Sequence, residues 1–198
     1  MSQTLSRVRL GLWAAVLVAA VAATILFVVA PPKSGGGIGG GTYALVDQRG
    51  NPIDQTMLVG QPSLLFFGYT HCPDVCPTTM GEMAGWFETL GTDVGTLKAY
   101  FVTVDPTRDT PEMLNDYVSW VSDRITGVTG DPAQIDRIVK AWAVLAEKVP
   151  GAVDGDYTVN HTASVFLVNP KGEFEGTIAY GEDQATAVAK IRKLLGKA

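Results

Sequence analysis

Residues 63–69 (SLLFFGY) form an apolar run without polar alternation, bounded by Gly60-Gln61-Pro62 before it and Pro73 after it. A strand of this kind leaves no face for water, so both of its faces must be packed. Residues 98–104 (KAYFVTV), stopped by Asp105-Pro106, and residues 164–168 (SVFLV) read the same way. Asn169-Pro170-Lys171-Gly172 is a turn sequence, so residues 173–180 should return antiparallel as a hairpin. Helical spacing of apolar residues fills the intervals: Met80, Met83, Ala84 and Phe87 in 77–90; Leu114, Tyr117 and Val118 in 111–120; Ile135, Ile138, Val139 and Trp142 in 132–145; Val188, Ile191, Leu194 and Leu195 in 184–195. The first three open on a proline, where the missing N–H costs nothing. Strands alternating with helices, then a hairpin and a helix, describe an α/β fold with a mixed sheet flanked by helices. A thioredoxin-like fold is one such arrangement, and periodicity alone does not separate it from a flavodoxin-like sheet.

The N-terminus is a different object. Residues 10–30 carry no charge, and a helix of that length, at roughly 1.5 Å per residue, crosses a hydrocarbon core of about 30 Å. One transmembrane helix is therefore expected; the competing reading, a cleaved signal peptide, has an apolar region of only about 7–15 residues. Arg7 and Arg9 precede the run and only Lys33 follows closely, which places residues 1–9 in the cytoplasm and the rest of the chain outside, in the periplasm or an equivalent compartment. Residues 31–41, PPKSGGGIGGG, read as a flexible tether, and residues 42–198 as the folded domain. That domain holds 12 basic and 20 acidic residues, a balance of minus 8. Sequence-independent binding of nucleic acid needs a clustered basic footprint and is excluded on this balance, whereas a basic partner surface suits it. The 46% hydrophobic content excludes a disordered chain.

Both cysteines of the chain lie in Gly68-Tyr69-Thr70-His71-Cys72-Pro73-Asp74-Val75-Cys76-Pro77, between the first apolar strand and a helix. With Pro77 first in that helix, Cys76 takes the cap position, where the helix dipole favours a thiolate, while exposure in the loop favours Cys72 as the more reactive thiol. A purely structural disulfide across so short a loop removes little chain entropy, which leaves functional readings. One is thiol–disulfide exchange, although such oxidoreductases usually place two residues between their cysteines and this chain has three. The other is a soft metal ion, for which two sulfurs are too few and a third ligand must come from elsewhere. The imidazoles available are His71, which adjoins Cys72 and so points away from it, and His161, in YTVNHTA just before the 164–168 strand. Asp105, Arg108 and Asp109 sit where the second strand hands over to a helix that Thr110 can cap. Capping explains part of that segment unaided. Arg108 is also the only basic group near the cysteines for a peroxide-reducing site on the same fold.

FFGYTHCPDVCPTTM (66–80), YFVTVDPTRDTPEML (100–114) and YTVNHTASVFLVNPKGEF (157–174) together closely resemble the SCO/SenC family of membrane-anchored copper proteins. The resemblance covers about residues 42–198. It implies a thioredoxin-like fold that binds copper through Cys72, Cys76 and His161. It also implies a role in delivering copper to the binuclear copper centre in subunit II of cytochrome c oxidase, or in reducing the cysteines of that centre. One departure is Asn160, where many members place an aspartate. Thiolates favour Cu(I) and imidazole supports Cu(II), so a set of two cysteines and a histidine can hold either state; with a water it can also hold zinc.

Overall fold

The computed structural model describes residue 9 and residues 12–21, 37–153 and 155–197. The chain divides into two compact units, Met1–Gly35 and Gly36–Ala198. In the first unit, residues 12–21 are helical. Among the described residues no helix is long and apolar enough to cross a membrane. The remainder of the expected span, residues 10, 11 and 22–30, lies outside the described residues, as does the 31–36 part of the tether.

The second unit runs β1 (Ala44–Asp47), β2 (Pro52–Asp54), β3 (Ser63–Gly68), α1 (Val75–Leu90), β4 (Lys98–Thr103), α2 (Pro111–Val121), β5 (Ile125–Thr129), α3 (Pro132–Ala141), β6 (Ala146–Pro150), β7 (Tyr157–His161), β8 (Val165–Val168), β9 (Phe174–Ile178) and α4 (Gln184–Leu194). Seven strands form one sheet in the order β2-β1-β5-β4-β3-β8-β9. β3, β4 and β5 are parallel, while β1, β8 and β9 join antiparallel. This is the mixed sheet that the apolar runs predict. Leu64, Leu65, Phe66 and Phe67 of β3 are all 0% exposed, so both faces of that strand are covered. Neighbouring side chains on a strand point to opposite faces. Phe66 accordingly meets Phe101 at 6.0 Å, and Phe67 meets Phe166 at 5.8 Å.

The structure departs from the sequence reading in several places. α1 begins at Val75 with Asp74 as its cap, so Pro77 is the third helical residue and Cys76 the second. Proline is tolerated there because none of the first four N–H groups has a partner within the helix. α3 ends at Ala141 rather than continuing to 145, and its terminator is not a glycine. Ala143 takes a left-handed φ of 52°. Its N–H donates to the Lys140 carbonyl at 3.1 Å, and the Val144 N–H donates to the Val139 carbonyl at 3.0 Å. These are the two bonds of a Schellman cap, closed by a residue that gives no stop signal in the sequence. β1, β2, β5, β6 and β7 were not expected as strands. β6 (AEKVP) has no buried residue and no apolar alternation, and it exists through pairing with β7 in a separate two-stranded sheet.

Part of the expected tether lies on the domain. The Gly39 N–H donates to the Ala141 carbonyl at 2.8 Å. Gly39 has φ +95°, and a Cβ there would stand 3.0 Å from the Trp142 ring, so only glycine fits.

A left-handed conformation costs a residue with a Cβ roughly 1–2 kcal/mol, and glycine's extra unfolded-chain entropy offsets roughly 0.4–1 kcal/mol of that. Ala143→Gly is therefore expected to stabilise the domain by about 0.5–1 kcal/mol, read as a raised urea midpoint at unchanged slope. A lowered midpoint would contradict the Schellman assignment.

Candidate metal centre

β3 delivers the cysteine loop to the C-terminal edge of the parallel strands, where α1 begins. Gly68, its last residue, is what makes room. A Cβ there would lie 2.6 Å from Cys76 Sγ and 2.8 Å from the Phe101 ring. The Cys76 sulfur thus rests directly on the backbone of the strand end, 0% exposed, while Cys72 is partly exposed. The Cys76 N–H points at Cys72 Sγ, 3.4 Å away.

His161 arrives from the other side as the last residue of β7, not in a loop before β8 as expected. Its Nε2 lies 3.3 Å from Cys76 Sγ. Its Nδ1 lies 3.1 Å from the Thr162 carbonyl, which can only accept, so the ring proton sits on Nδ1 and the Nε2 lone pair faces the sulfurs. Phe66 and Tyr69 pack against the imidazole, their ring centroids 6.1 and 5.9 Å from its own. Among the described residues one group of potential ligands emerges: Cys72, Cys76 and His161, whose ligand atoms all lie within 4.8 Å of one another. His71 is outside that group. Its Nδ1 donates to Thr70 Oγ1 at 3.0 Å, and the ring lines a neighbouring groove. Asn160 is exposed, on the opposite face of β7 from His161, so an aspartate there would also point away from the sulfurs.

The two thiols are unequal. The Cys72 thiol is held down to about 4, first by the hydrogen bond from the Cys76 thiol, against the cost of partial burial, with help from the Asp74 and Cys76 backbone N–H groups. Cys76 is pushed far above the ordinary thiol range, because it gives that hydrogen bond and because it is buried. The cap position expected to favour a Cys76 thiolate is occupied by Asp74 instead, and burial decides the matter.

Two fully buried carboxylates hold these pieces in place. Asp109 accepts from the Thr70 backbone N–H (3.1 Å), the Thr70 hydroxyl (2.7 Å) and the Thr103 hydroxyl (2.6 Å), which fixes the start of the cysteine loop. Asp105 is paired with Arg108 and accepts from the Tyr157 hydroxyl at 2.8 Å. Arg108 also donates to the Tyr157 carbonyl at 3.1 Å, and its guanidinium lies 3.7 Å from the centre of the Tyr157 ring. The Tyr69 hydroxyl accepts from the Val159 N–H at 3.2 Å. The β6–β7 ribbon, which shares no strand pairing with the main sheet, is thereby clamped over the cysteine loop. The sequence reading singled out Asp105, Arg108 and Asp109 without a settled task. It assigned none to Gly68, Tyr69 or Tyr157, although a glycine closing an apolar strand is itself a signal of close approach.

Fold and site together define a thioredoxin-like α/β domain that carries two cysteines and a histidine at the C-terminal edge of its sheet. The chain belongs to the SCO1/SenC family, whose sequence model matches residues 32–196. Mitochondrial protein SCO1 of Saccharomyces cerevisiae is 34% identical over 154 residues, covering 77% of this chain and 52% of the relative. The mitochondrial SCO1 homolog of Homo sapiens is 35% identical over 137 residues, covering 68% of this chain and 46% of the relative. The chain thus spans about half the length of these relatives. Among solved structures, copper-bound ScoI of Bradyrhizobium japonicum superimposes with a TM-score of 0.73 at 39% identity, over 80% of this chain and 99% of that one. Copper-bound yeast Sco1 gives 0.75 at 32% identity, over 82% and 91%.

Iodoacetamide is expected to label Cys72 alone in the folded chain, at a rate that stays flat between about pH 6 and 8, where an ordinary thiol speeds up roughly tenfold per pH unit. A tenfold rise per unit, or equal labelling of Cys76, would contradict the inequality of the two thiols. Arg108→Ala removes the closest cation from the buried Asp105 carboxylate and leaves it only Lys148, 3.7 Å away, and the Tyr157 hydroxyl, an expected loss of about 2 kcal/mol in denaturant unfolding. A loss within about 0.5 kcal/mol would place Arg108 among ordinary surface residues.

Proposed function

We propose that this chain is a copper-delivery protein in which Cys72, Cys76 and His161 take up one copper ion as cargo and pass it to a partner. The observation that carries this reading is the convergence of two sulfurs and an imidazole nitrogen within 4.8 Å, on elements far apart in sequence. The donor set suits copper in both oxidation states: thiolates hold Cu(I), and the imidazole supports Cu(II). Cys72 meets the ion already deprotonated, Cys76 gives up a proton as it binds, and His161 presents its lone pair with the opposite nitrogen anchored. The copper-bound relatives and the family's role support the same reading. The client in this proposal is the binuclear copper centre in subunit II of cytochrome c oxidase. Residues 10–30 anchor the chain in the inner membrane with the N-terminus cytoplasmic, and the 31–41 segment links that anchor to a domain on the periplasmic side.

The inequality of the thiols favours a second activity of the same site. The Cys72 thiolate attacks a client disulfide, forming a mixed disulfide and expelling one client thiolate. Cys76, deprotonated as it attacks, then displaces the second client sulfur and closes a Cys72–Cys76 disulfide. Two electrons pass from the dithiol to the client, which is left as two thiols. Copper delivery into a dithiol centre requires that centre to be reduced, so the two activities are compatible.

Metal analysis of the full chain is expected to find one copper per molecule, with a Cu(II) paramagnetic resonance signal. His161→Ala should weaken Cu(II) by more than the roughly 10–100-fold that follows loss of an outer-shell partner, with a smaller effect on Cu(I). Equal affinity of the variant for Cu(II), measured against a competing chelator, would remove His161 from the ligand set. A chain that binds no copper yet reduces a client disulfide would leave the reductase reading standing alone.

A further inference from the structure

Beside the ligand group, on the side to which His71 turns, α2 and the cysteine loop enclose a shallow groove of about 450 Å³, lined by Thr70, His71, Met113, Asp116, Tyr117 and Trp120. It shares no residue with the copper ligands, yet His71 adjoins Cys72. Trp120 is 82% exposed, the highest value among the exposed large hydrophobic side chains of the described residues, and Met113 is 40% exposed. An exposed tryptophan next to an exposed methionine is a costly surface for a chain to keep in water, and both residue types are enriched where proteins dock.

The charges around the groove have one sign. Across residues 69–80 and Pro111–Val121, which supply its two walls, the carboxylates are Asp74, Glu112 and Asp116, His71 is the one imidazole, and there is no lysine or arginine. The nearest cation along the chain, Arg108, is committed to Asp105 and Tyr157. Asp109 is buried under hydrogen bonds from Thr70 and Thr103. An indole face with a carboxylate four residues away on the same helix is suited to a guanidinium, which stacks on the ring while pairing with the acid. A tryptophan at a membrane surface is the other use of such a residue. Anionic headgroups, however, would be repelled by three carboxylates with no lysine or arginine among them.

We infer that this groove is the docking site for the copper-accepting partner, and that it takes a segment presenting an arginine or lysine beside an apolar side chain. The cation lies between Trp120 and Asp116, and the apolar neighbour lies on Met113 and Tyr117. A groove of this size holds two or three side chains, enough for a weak encounter that places the partner's own ligands at Cys72 and then lets go. The minus 8 balance of the domain steers a basic partner toward it from a distance. This inference rests on the copper-delivery reading for its purpose, but not for its binding surface.

The test uses the full chain and two synthetic acceptor peptides, each with two cysteines three residues apart, flanked in one by Arg-Leu and in the other by Glu-Leu. Copper is expected to move to the arginine peptide about tenfold faster at low salt, with the advantage fading as salt rises. Trp120→Ala and Asp116→Lys should each abolish the advantage while leaving copper affinity unchanged. A metal-free arm uses the same peptides with serine in place of cysteine. The arginine peptide should shift the Trp120 indole N–H resonance and the glutamate peptide should not. Equal transfer rates, or an indole unmoved by the arginine peptide, would overturn the docking site. If the chain holds no copper, the proposed function fails while the indole titration still decides this inference. With vesicles of anionic phospholipid, a blue shift in the emission difference between the chain and Trp120→Phe would assign the face to lipid instead.

Discussion

Two carboxylates without access to water hold together the working edge of this domain. Asp105 and Asp109 follow β4 by two and six residues, and both are 0% exposed. Burying a carboxylate is unfavourable unless its oxygens are satisfied, and here each is satisfied by groups from elsewhere in the chain. Asp109 draws in Thr70 and Asp105 draws in Tyr157, so the two segments that carry the proposed ligands are tied to one loop. Neither aspartate touches the proposed metal position. Their effect is on where the cysteine loop and the histidine ribbon come to rest.

The apolar strands β3, β4 and β8, the hairpin to β9 and all four helices of the second unit were legible because each buries a continuous run or a helical stripe. What was not legible follows from the same physics. β6 buries nothing, so no hydrophobic pattern announces it. β5 (ITGVT) is only five residues long and is broken by a glycine. α3 stops at an alanine in a glycine's conformation. The three proposed ligands were legible from residue type, scarcity and family resemblance, and the structure brings them together. Which cysteine is activated was not, because it depends on burial against Gly68 and Phe101 rather than on position along the helix.

The asymmetry of the pair also suits a carrier that must release its cargo. A thiolate at the surface could exchange partners, since an incoming sulfur could reach a bound ion from the Cys72 side. Cys76 has no such exposure and serves as the fixed end of the pair. In the proposed carrier, exchange would then run stepwise, with the exposed sulfur leaving before the buried one.

The β6–β7 ribbon adds a constraint of another kind. His161 and Asn160 are adjacent on a strand, one facing the sulfurs and the other facing solvent. Side chains on a strand alternate with a period of two, so a shift of one position exchanges them. Between Tyr157, pinned by Asp105, and His161, the chain is therefore counted: a single inserted residue would present the Asn160 amide, and a single deleted one the Thr162 hydroxyl, where the imidazole belongs. The turn that joins the two strands of the ribbon is under no such arithmetic, and length changes confined to it leave the parity intact.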